Sequence, residues 1–284
     1  MSCLFVVPTP IGNLEDITMR AVRVLGEVPL VLAEDTRHTR KLFARYGIWT
    51  RLVSYHQHNK RERLDEAMLA LERGNVAVVS NAGMPAIADP GFELIQAAIA
   101  AGHEVDVLPG PSAVVTAFVA AALPAPGFLF AGFLPRRAGD RRTKLLTLSA
   151  LPYALVVYEA PHRLVSTLEM ILAVLGNRTM VVARELTKMH REVHRGTVME
   201  LIRLFREIAP RGECTLVISG VDEPAVADEA AALHDLQSRK ARGENRRVAT
   251  AAVIERYGVG RNRLYDAWLH GAAEETGEHP LEAE

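Results

Sequence analysis

The chain has 284 residues, 49% of them hydrophobic and 24% charged, with a formal net charge of −1. That length exceeds one small core and suits about two domains plus an extra piece, and the composition is that of a folded globular protein rather than a disordered or fibrous one. The longest weakly polar stretch, residues 113–123, holds Thr116 and stops at Pro124, short of the roughly 20 residues of a membrane span; neither a membrane segment nor a secretory leader is expected, and the cytoplasm is the expected location.

Apolar runs at 4–7, 30–33, 76–79 and 105–108 read as short strands, and amphipathic stretches at 17–25, 38–46, 61–72 and 92–101 read as the helices between and after them. This alternation predicts a parallel sheet. Each strand runs directly into a distinctive turn, at 8–14, 34–37, 80–91 and 109–113. Loops at the carboxyl ends of parallel strands line up along one edge, where such sheets bind ligands, so a single cofactor edge is expected.

The first turn lacks G-x-G-x-x-G, which argues against a nicotinamide cofactor; Gly12 either touches a ligand or only relieves steric crowding. Glu34 and Asp35 end the second strand beside Arg37 and Arg40. Such a pair of carboxylates either forms surface ion pairs or serves as a base or substrate-positioning group. The twelve residues 80–91 carry two glycines, two prolines and one acid, Asp89, a composition that brings backbone N–H and C=O groups close to a ligand. Ser112 opens a helix whose free amides suit a carboxylate or phosphate, or it is a simple N-cap. His56 and His58 share a face without a third ligand and read as polar loop residues. Cys3 and Cys214 read as reduced core residues, and no metal site is expected.

P-A-P-G at 124–127 punctuates the chain, giving expected domains at 1–123 and 124–221, with a linker and terminal region at 222–284. The second domain reads as strands at 128–134, 155–158, 180–184, 192–196 and 214–219. Its helices are a basic loop and helix ending at 151, then 162–175 and 198–208, and its consecutive late strands predict a mixed sheet. Helical patterns at 248–257 and 262–270, joined by G-V-G-R, are compatible with a helix-turn-helix; the acidic tail 274–284 is expected to fray. Two clusters are basic: Arg136, Arg137, Arg141, Arg142 and Lys144 around Asp140, and Arg239, Lys240, Arg242, Arg246 and Arg247 around Glu244. They either engage a polyanion or form solvated loops.

In order, V-P-T-P-I-G-N-L (7–14), A-E-D-T-R (33–37), S-N-A-G-M-P-A-I-A-D-P-G (80–91), L-P-G-P-S-A (108–113), G-F-L-P (132–135), Y-E-A-P-H-R (158–163) and A-R-E-L-T-K (183–188) resemble the tetrapyrrole methylase superfamily. They are most similar to its ribosomal small-subunit RNA 2'-O-methyltransferase I branch, from residue 4 to near residue 220, and the terminal helix pair resembles that branch's helix-turn-helix. The resemblance implies S-adenosylmethionine bound in a cleft between two α/β domains of a homodimer, at Ile11, Asn81, Ala82, Gly83, Met84, Ile87, Ser112, Ala113, Glu159 and Leu186. It implies methyl transfer to the ribose 2'-oxygen of a cytidine in 16S ribosomal RNA of the small subunit. Glu34 or Asp35, then Glu159 or Glu185, are the expected proton acceptors. Asn13, Arg37, His162, Arg163 and Arg184 are expected to position ribose or phosphate, and Arg136, Arg137, Arg141, Arg142, Arg246 and Arg247 to contact phosphates. The chain departs from the branch with Asn81 where Asp is usual, Met84 where Thr is usual, and Arg191 in place of an acid. Two other readings stay open: a methyltransferase acting on a small tetrapyrrole, and a non-catalytic RNA-binding protein with a decayed cofactor site.

Overall fold

The computed structural model describes residues 2–56, 59–208, 210, 212–221, 229–257, 259 and 261–270. His58, the linker 222–228, Gly258, Gly260 and the acidic tail lie outside the described residues. The chain divides into two compact units, Met1–Gly220 and Val221–Glu284.

The first unit holds two five-stranded sheets. The first comprises β1 (Cys3–Val6), β2 (Leu30–Ala33), β3 (Arg51–Ser54), β4 (Val76–Val79) and β5 (Glu104–Val107), in the order β3-β2-β4-β1-β5. Every pairing is parallel. The central strands L-V-L-A and V-A-V-V are buried throughout, as strands covered on both faces must be. Their side chains alternate between two cores. Val31, Ala33, Ala77 and Val79 pack with α1 (Met19–Glu27) and α2 (Thr36–Tyr46), whereas Leu30, Leu32, Val76 and Val78 pack with α3 (Lys60–Arg73) and α4 (Phe92–Ala100). β3 was not anticipated: it is an edge strand in which only Leu52 and Val53 are apolar, too short a signal to stand out.

The second sheet contains β6 (Phe128–Phe133), β7 (Ala154–Glu159), β8 (Thr179–Arg184), β9 (Glu192–Thr197) and β10 (Cys214–Ile218), in the order β6-β7-β10-β8-β9. β6 and β7 are parallel and the other pairings antiparallel, a mixed sheet. One face packs on α6 (Ala138–Leu148), α7 (Leu164–Leu175) and α8 (Val198–Glu207) around Leu145, Leu168, Ile171, Leu201 and Phe205. The other receives α5 (Ala113–Ala121), whose Val114, Ala117 and Ala121 lie against Ala154, Val156, Val181, Ala183 and Val217. Thus α5, which follows the last strand of the first sheet, buries its apolar stripe on the second and holds the two halves together. A basic loop was expected before the helix ending near 151; instead α6 begins at Ala138, so Arg141, Arg142 and Lys144 are helical.

In the second unit, α9 (Glu229–Ala241), α10 (Arg246–Tyr257) and α11 (Arg261–His270) share a small core of Ala232, Leu236, Ala249, Val253, Leu264 and Ala267. The expected pair of helices is present as α10 and α11, and α9 packs with it as a third. Both cysteines are free and buried. No described helix is long and apolar enough to cross a membrane.

Candidate active site

A cavity of about 390 Å³ opens where the carboxyl ends of the first sheet meet the second sheet, a volume within the roughly 300–1,000 Å³ range of small-molecule sites. All four turns at the strand ends reach it, through Ile11, Glu34, the stretch Asn81 to Met84 with Ile87 to Asp89, and Ser112 with Ala113. Across from them stand Phe133, Tyr158, Glu159, Glu185, Leu186, Lys188, Glu213 and Thr215. The two sides converge because β7 and β8 end, and β10 begins, at one edge: Cys214 pairs with both Glu159 and Arg184.

Local bonds fix the first wall. Thr9 and Gly83 exchange both backbone hydrogen bonds at 2.9 Å, and Thr9 Oγ1 donates to the Ser80 carbonyl. Gly83 sits at φ +77° with Ile11 Cγ2 3.5 Å from where a Cβ would stand, so a residue free to adopt the left-handed region is needed here. Asn81 N donates to Glu34 Oε2 at 3.1 Å, which aims that carboxylate into the cleft. Asn81 Oδ1 is buried with no hydrogen-bond partner. Ser112 caps α5 by accepting from Val115 N.

The cleft is acidic. Among the described residues, Glu34, Asp89, Glu159, Glu185 and Glu213 line it with one ammonium, Lys188. Burial, helped by the charges of Glu34 and Glu213 and opposed by a hydrogen bond from Ser80, pushes the Asp89 carboxyl up to about 6. Burial pushes the Tyr158 phenol up to about 12 and the Cys214 thiol up to about 11, so both stay protonated at neutral pH.

The residues expected at the cofactor, Ile11, Asn81, Ala82, Gly83, Met84, Ile87, Ser112, Ala113, Glu159 and Leu186, all line this one cavity. Other expectations meet a different environment. Asp35 does not line the cleft; it caps α2, and its oxygens accept from the Arg37 amide at 2.8 Å and guanidinium at 3.1 Å. The Arg37 hydrogen bonds hold its carboxyl below the usual range, which suits a cap better than a base. Glu159 is 1% exposed. It accepts from Thr167 Oγ1 at 2.6 Å and Ala160 N at 2.9 Å and lies 3.2 Å from Arg163 Nε, so its oxygens are already engaged. Glu185 lines the cleft but is tied to Lys188 Nζ at 3.0 Å.

Of the expected substrate contacts, Arg163 is a structural clamp that donates to the Leu134 and Pro135 carbonyls. Arg184 is buried and paired with Glu192 at 2.7 Å. Arg141, 7% exposed, points into the protein rather than toward a phosphate. Asn13 caps the 3-10 turn Leu14–Asp16. His162, Arg37, Arg136, Arg137, Arg142, Arg246 and Arg247 are exposed. Arg246 lies 4.6 Å from the centre of the Tyr265 ring. In the second basic cluster Arg239 is committed to Asp235 and Glu244.

Asp89, Glu213, Tyr158, Lys188 and Phe133 line the site without having been assigned a role in it. Asp89 carried a visible signal as the one acid of its loop. Glu213 carried none, since only strand pairing brings it to this edge.

Two α/β halves enclosing an acidic cleft at the strand ends define the class: a model of the Tetrapyrrole (Corrin/Porphyrin) Methylases matches residues 3–202. The uroporphyrin-III-C-methyltransferase of Thermus thermophilus has the same fold, with a TM-score of 0.55 and 24% identity over 78% of this chain and 96% of that one. A cobalt precorrin-4 methyltransferase gives 0.58 at 17% identity, over 76% and 94%. Much nearer in sequence are proteins named ribosomal RNA small subunit methyltransferase I. That of Halalkalibacterium halodurans is 46% identical over 80% of this chain and 78% of its own, and that of Thermotoga maritima 47% over 78% and 99%. That of Escherichia coli O157:H7 is 43% identical over 92% and 93%. The chain belongs to the ribosomal RNA small subunit methyltransferase I family of the tetrapyrrole methylases.

Proposed function

We propose that this protein transfers a methyl group from S-adenosylmethionine to the ribose 2'-oxygen of a cytidine in 16S ribosomal RNA. The observation that carries the reading is one cleft that gathers all four strand-end turns and, among the described residues, lines them with five carboxylates against the ammonium of Lys188, with Arg163 beside Glu159. Its residues fit the cofactor. The donor is cationic at sulfur and at its amino group, so a negative lining attracts it. The buried, partnerless Asn81 Oδ1 is an acceptor that a bound donor group would satisfy. Backbone of the 81–84 loop and Ser112 would hold the rest.

When bound, the cofactor supplies an already activated methyl carbon. The chain's own residues then need to exclude water, align the nucleophile and take its proton. Alignment can supply effective molarities of about 10⁵–10⁸ M in favourable systems. For the proton, Asp89 and Glu34 are the carboxylates of choice: Asp35 is spent as a helix cap, Glu159 is saturated by Thr167, Ala160 and Arg163, and Glu185 holds Lys188. Asp89, with its acidity tuned to about 6, lies near the value at which a base is both ionised at neutral pH and basic enough to act. Arg136 and Arg137 follow Phe133 of the cleft wall by three and four residues, Arg163 pins the intervening carbonyls, and both arginines are exposed, which supports their meeting an RNA phosphate.

A homodimer is part of this reading. Val107, Val115, Phe128 and Val119, the last 70% exposed, leave apolar surface along β5, α5 and β6 that a second copy would cover. Light scattering at micromolar concentration tests it, and a monomer at every concentration removes it.

The activity is tested by transferring labelled methyl from S-adenosylmethionine to isolated small ribosomal subunits that lack the modification, then mapping the labelled ribose. Label on a cytidine 2'-oxygen is expected. No label with cofactor binding intact points to another substrate, and neither label nor binding leaves the decayed-site reading.

A further inference from the structure

An acidic cleft repels the polyanion it must act upon. A ribosomal RNA substrate has to be held by charge placed outside the cleft, and besides the cluster at 136–144, which Asp140 interrupts, the first unit carries a second basic stretch with no acid in it. Residues 36–51 contain five arginines and lysines, Arg37, Arg40, Lys41, Arg45 and Arg51, and no acid, in a chain whose net charge is −1. Most of them sit on α2, the helix that starts two residues after the cleft carboxylate Glu34.

The helix is strongly two-sided. Thr39, Leu42 and Phe43 are buried against the sheet, and Arg37, His38, Arg40, Lys41, Ala44 and Arg45 face outward. Arg37, Lys41 and Arg45 follow at intervals of four, so they form one row along the helix. Tyr46 Oη anchors the far end by donating to the Leu14 carbonyl at 2.7 Å. Arg37 is shared with Asp35, but no described carboxylate pairs with Arg40, Lys41 or Arg45. An ordinary solvated helix face interleaves both signs of charge, and this one does not.

Just past the helix Ile48 turns inward, 8% exposed, and Trp49 turns outward, 96% exposed. A tryptophan in water forgoes the burial that normally holds it, whereas a base stacked on its ring restores that burial. Basic rows interrupted by exposed aromatic rings are how proteins grip unpaired strands. Eleven helical residues span about 16 Å, the rise of several phosphates of one strand.

We propose that the outer face of α2 with Trp49 is an RNA-docking track, in which Arg40, Lys41 and Arg45 contact phosphates of the strand leading away from the target nucleotide and Trp49 stacks an unpaired base of it. The inference rests on the RNA methyltransferase reading and names a surface of its substrate. No covalent chemistry takes place on it.

The test uses the full chain, a labelled 16S ribosomal RNA transcript, and two variants that leave Glu34, Asp35 and Arg37 alone: the triple R40Q/K41Q/R45Q, and W49A. Binding is measured between 50 and 200 mM salt, with cofactor calorimetry and thermal melting as controls on fold. The triple is expected to bind at least tenfold more weakly at 100 mM salt and to flatten the slope of log affinity against log salt by about 2, at about 0.7 per phosphate contact. W49A is expected to weaken binding by about five- to hundredfold with the slope unchanged, because stacking releases no counterions. In methyl transfer to subunits, KM for the subunit should rise more than kcat falls. Wild-type affinity and slope in both variants, with transfer by the wild type intact, overturns the track while leaving the activity standing. A change of oligomeric state in W49A at unchanged RNA affinity also overturns it, by giving Trp49 to a subunit contact. Failure of the wild type to bind or methylate RNA overturns both this inference and the function on which it rests.

Discussion

Asp89 is held where its charge is disfavoured, between Glu34 and Glu213 and partly out of water, and its carboxyl rises from 3.8 to about 6. The other titratable groups of the cleft are Tyr158, Glu159, Glu185, Lys188 and Cys214. If Asp89 takes the hydroxyl proton, kcat/KM for methyl transfer should climb through pH 6 and level above it. Asp89→Asn should abolish that limb and lower the plateau by about 10²–10⁴. Stability has the opposite sign: a raised acid costs nothing below its unfolded value and destabilises as pH rises through its folded value. Asp89→Asn should therefore melt at or above the wild type at pH 7.5, with the difference closing below pH 4. Glu34→Gln should slow transfer, whereas Asp35→Asn, on a group already used as a cap, should keep a near-wild-type rate; equal losses in both would return Asp35 to the chemistry. Thr167→Val removes the hydroxyl that serves the buried Glu159 carboxylate, and denaturant unfolding should register a loss of about 1.5–3 kcal/mol. At this scale the sequence was legible where chemistry is local, in the turns that carry Ile11, Asn81 to Met84 and Ser112. It was opaque where partners come from afar: nothing near Arg141, Arg163 or Arg184 in the chain says that their side chains are enclosed.

Among the elements, β6 has a consequence for the cleft. Its register against β7 slips between Phe130 and Gly132, so Phe130 pairs with Val156 and Phe133 with Tyr158. In a regular strand residues three apart point to opposite faces, but the inserted residue lets Phe130 and Phe133 both pack on Tyr158, at ring separations of 4.9 and 5.4 Å. Gly132 makes this slip at φ +67°. Gly132→Ala has open space for its methyl but not a suitable backbone, and should cost about 1–2 kcal/mol in stability while weakening cofactor binding through the displaced Phe133; unchanged affinity would separate the bulge from the site. The bulge could not be read from F-L-F-A-G-F, which resembles a plain strand. The four runs of the parallel sheet were legible to within a residue: β2 and β4 because buried central strands are apolar throughout, and the edge strand β5 through the apolar residues Val105, Val107 and Leu108 around Asp106. β3 and α9 were missed for the converse reason: an edge strand with two apolar residues and a helix rich in alanine and charge offer little periodic contrast.

At the scale of the molecule, nearly all of the Thermotoga maritima relative is matched by 221 residues of this chain, about the length of the unit Met1–Gly220. A fragment ending at Gly220 should therefore fold cooperatively and bind S-adenosylmethionine with the affinity of the full chain, while losing RNA affinity to the extent that Arg246 and Arg247 contribute; a fragment that fails to melt cooperatively would make the terminal helices part of the core fold. The alternation of strands and helices made the two α/β halves legible, because parallel strands need crossovers and crossovers leave a rhythm. How α5 fastens one half to the other was not legible, since an apolar stripe does not name the surface that it covers. The acidity of the cleft bears finally on turnover. Methyl transfer strips the sulfonium of its positive charge, so the five carboxylates that draw in the donor lose much of their hold on the spent molecule. Exchange of used for fresh donor is thereby biased forward by the same side chains, and neutralising Glu213 should weaken binding of the donor more than binding of the product, so that product inhibition grows relative to donor affinity.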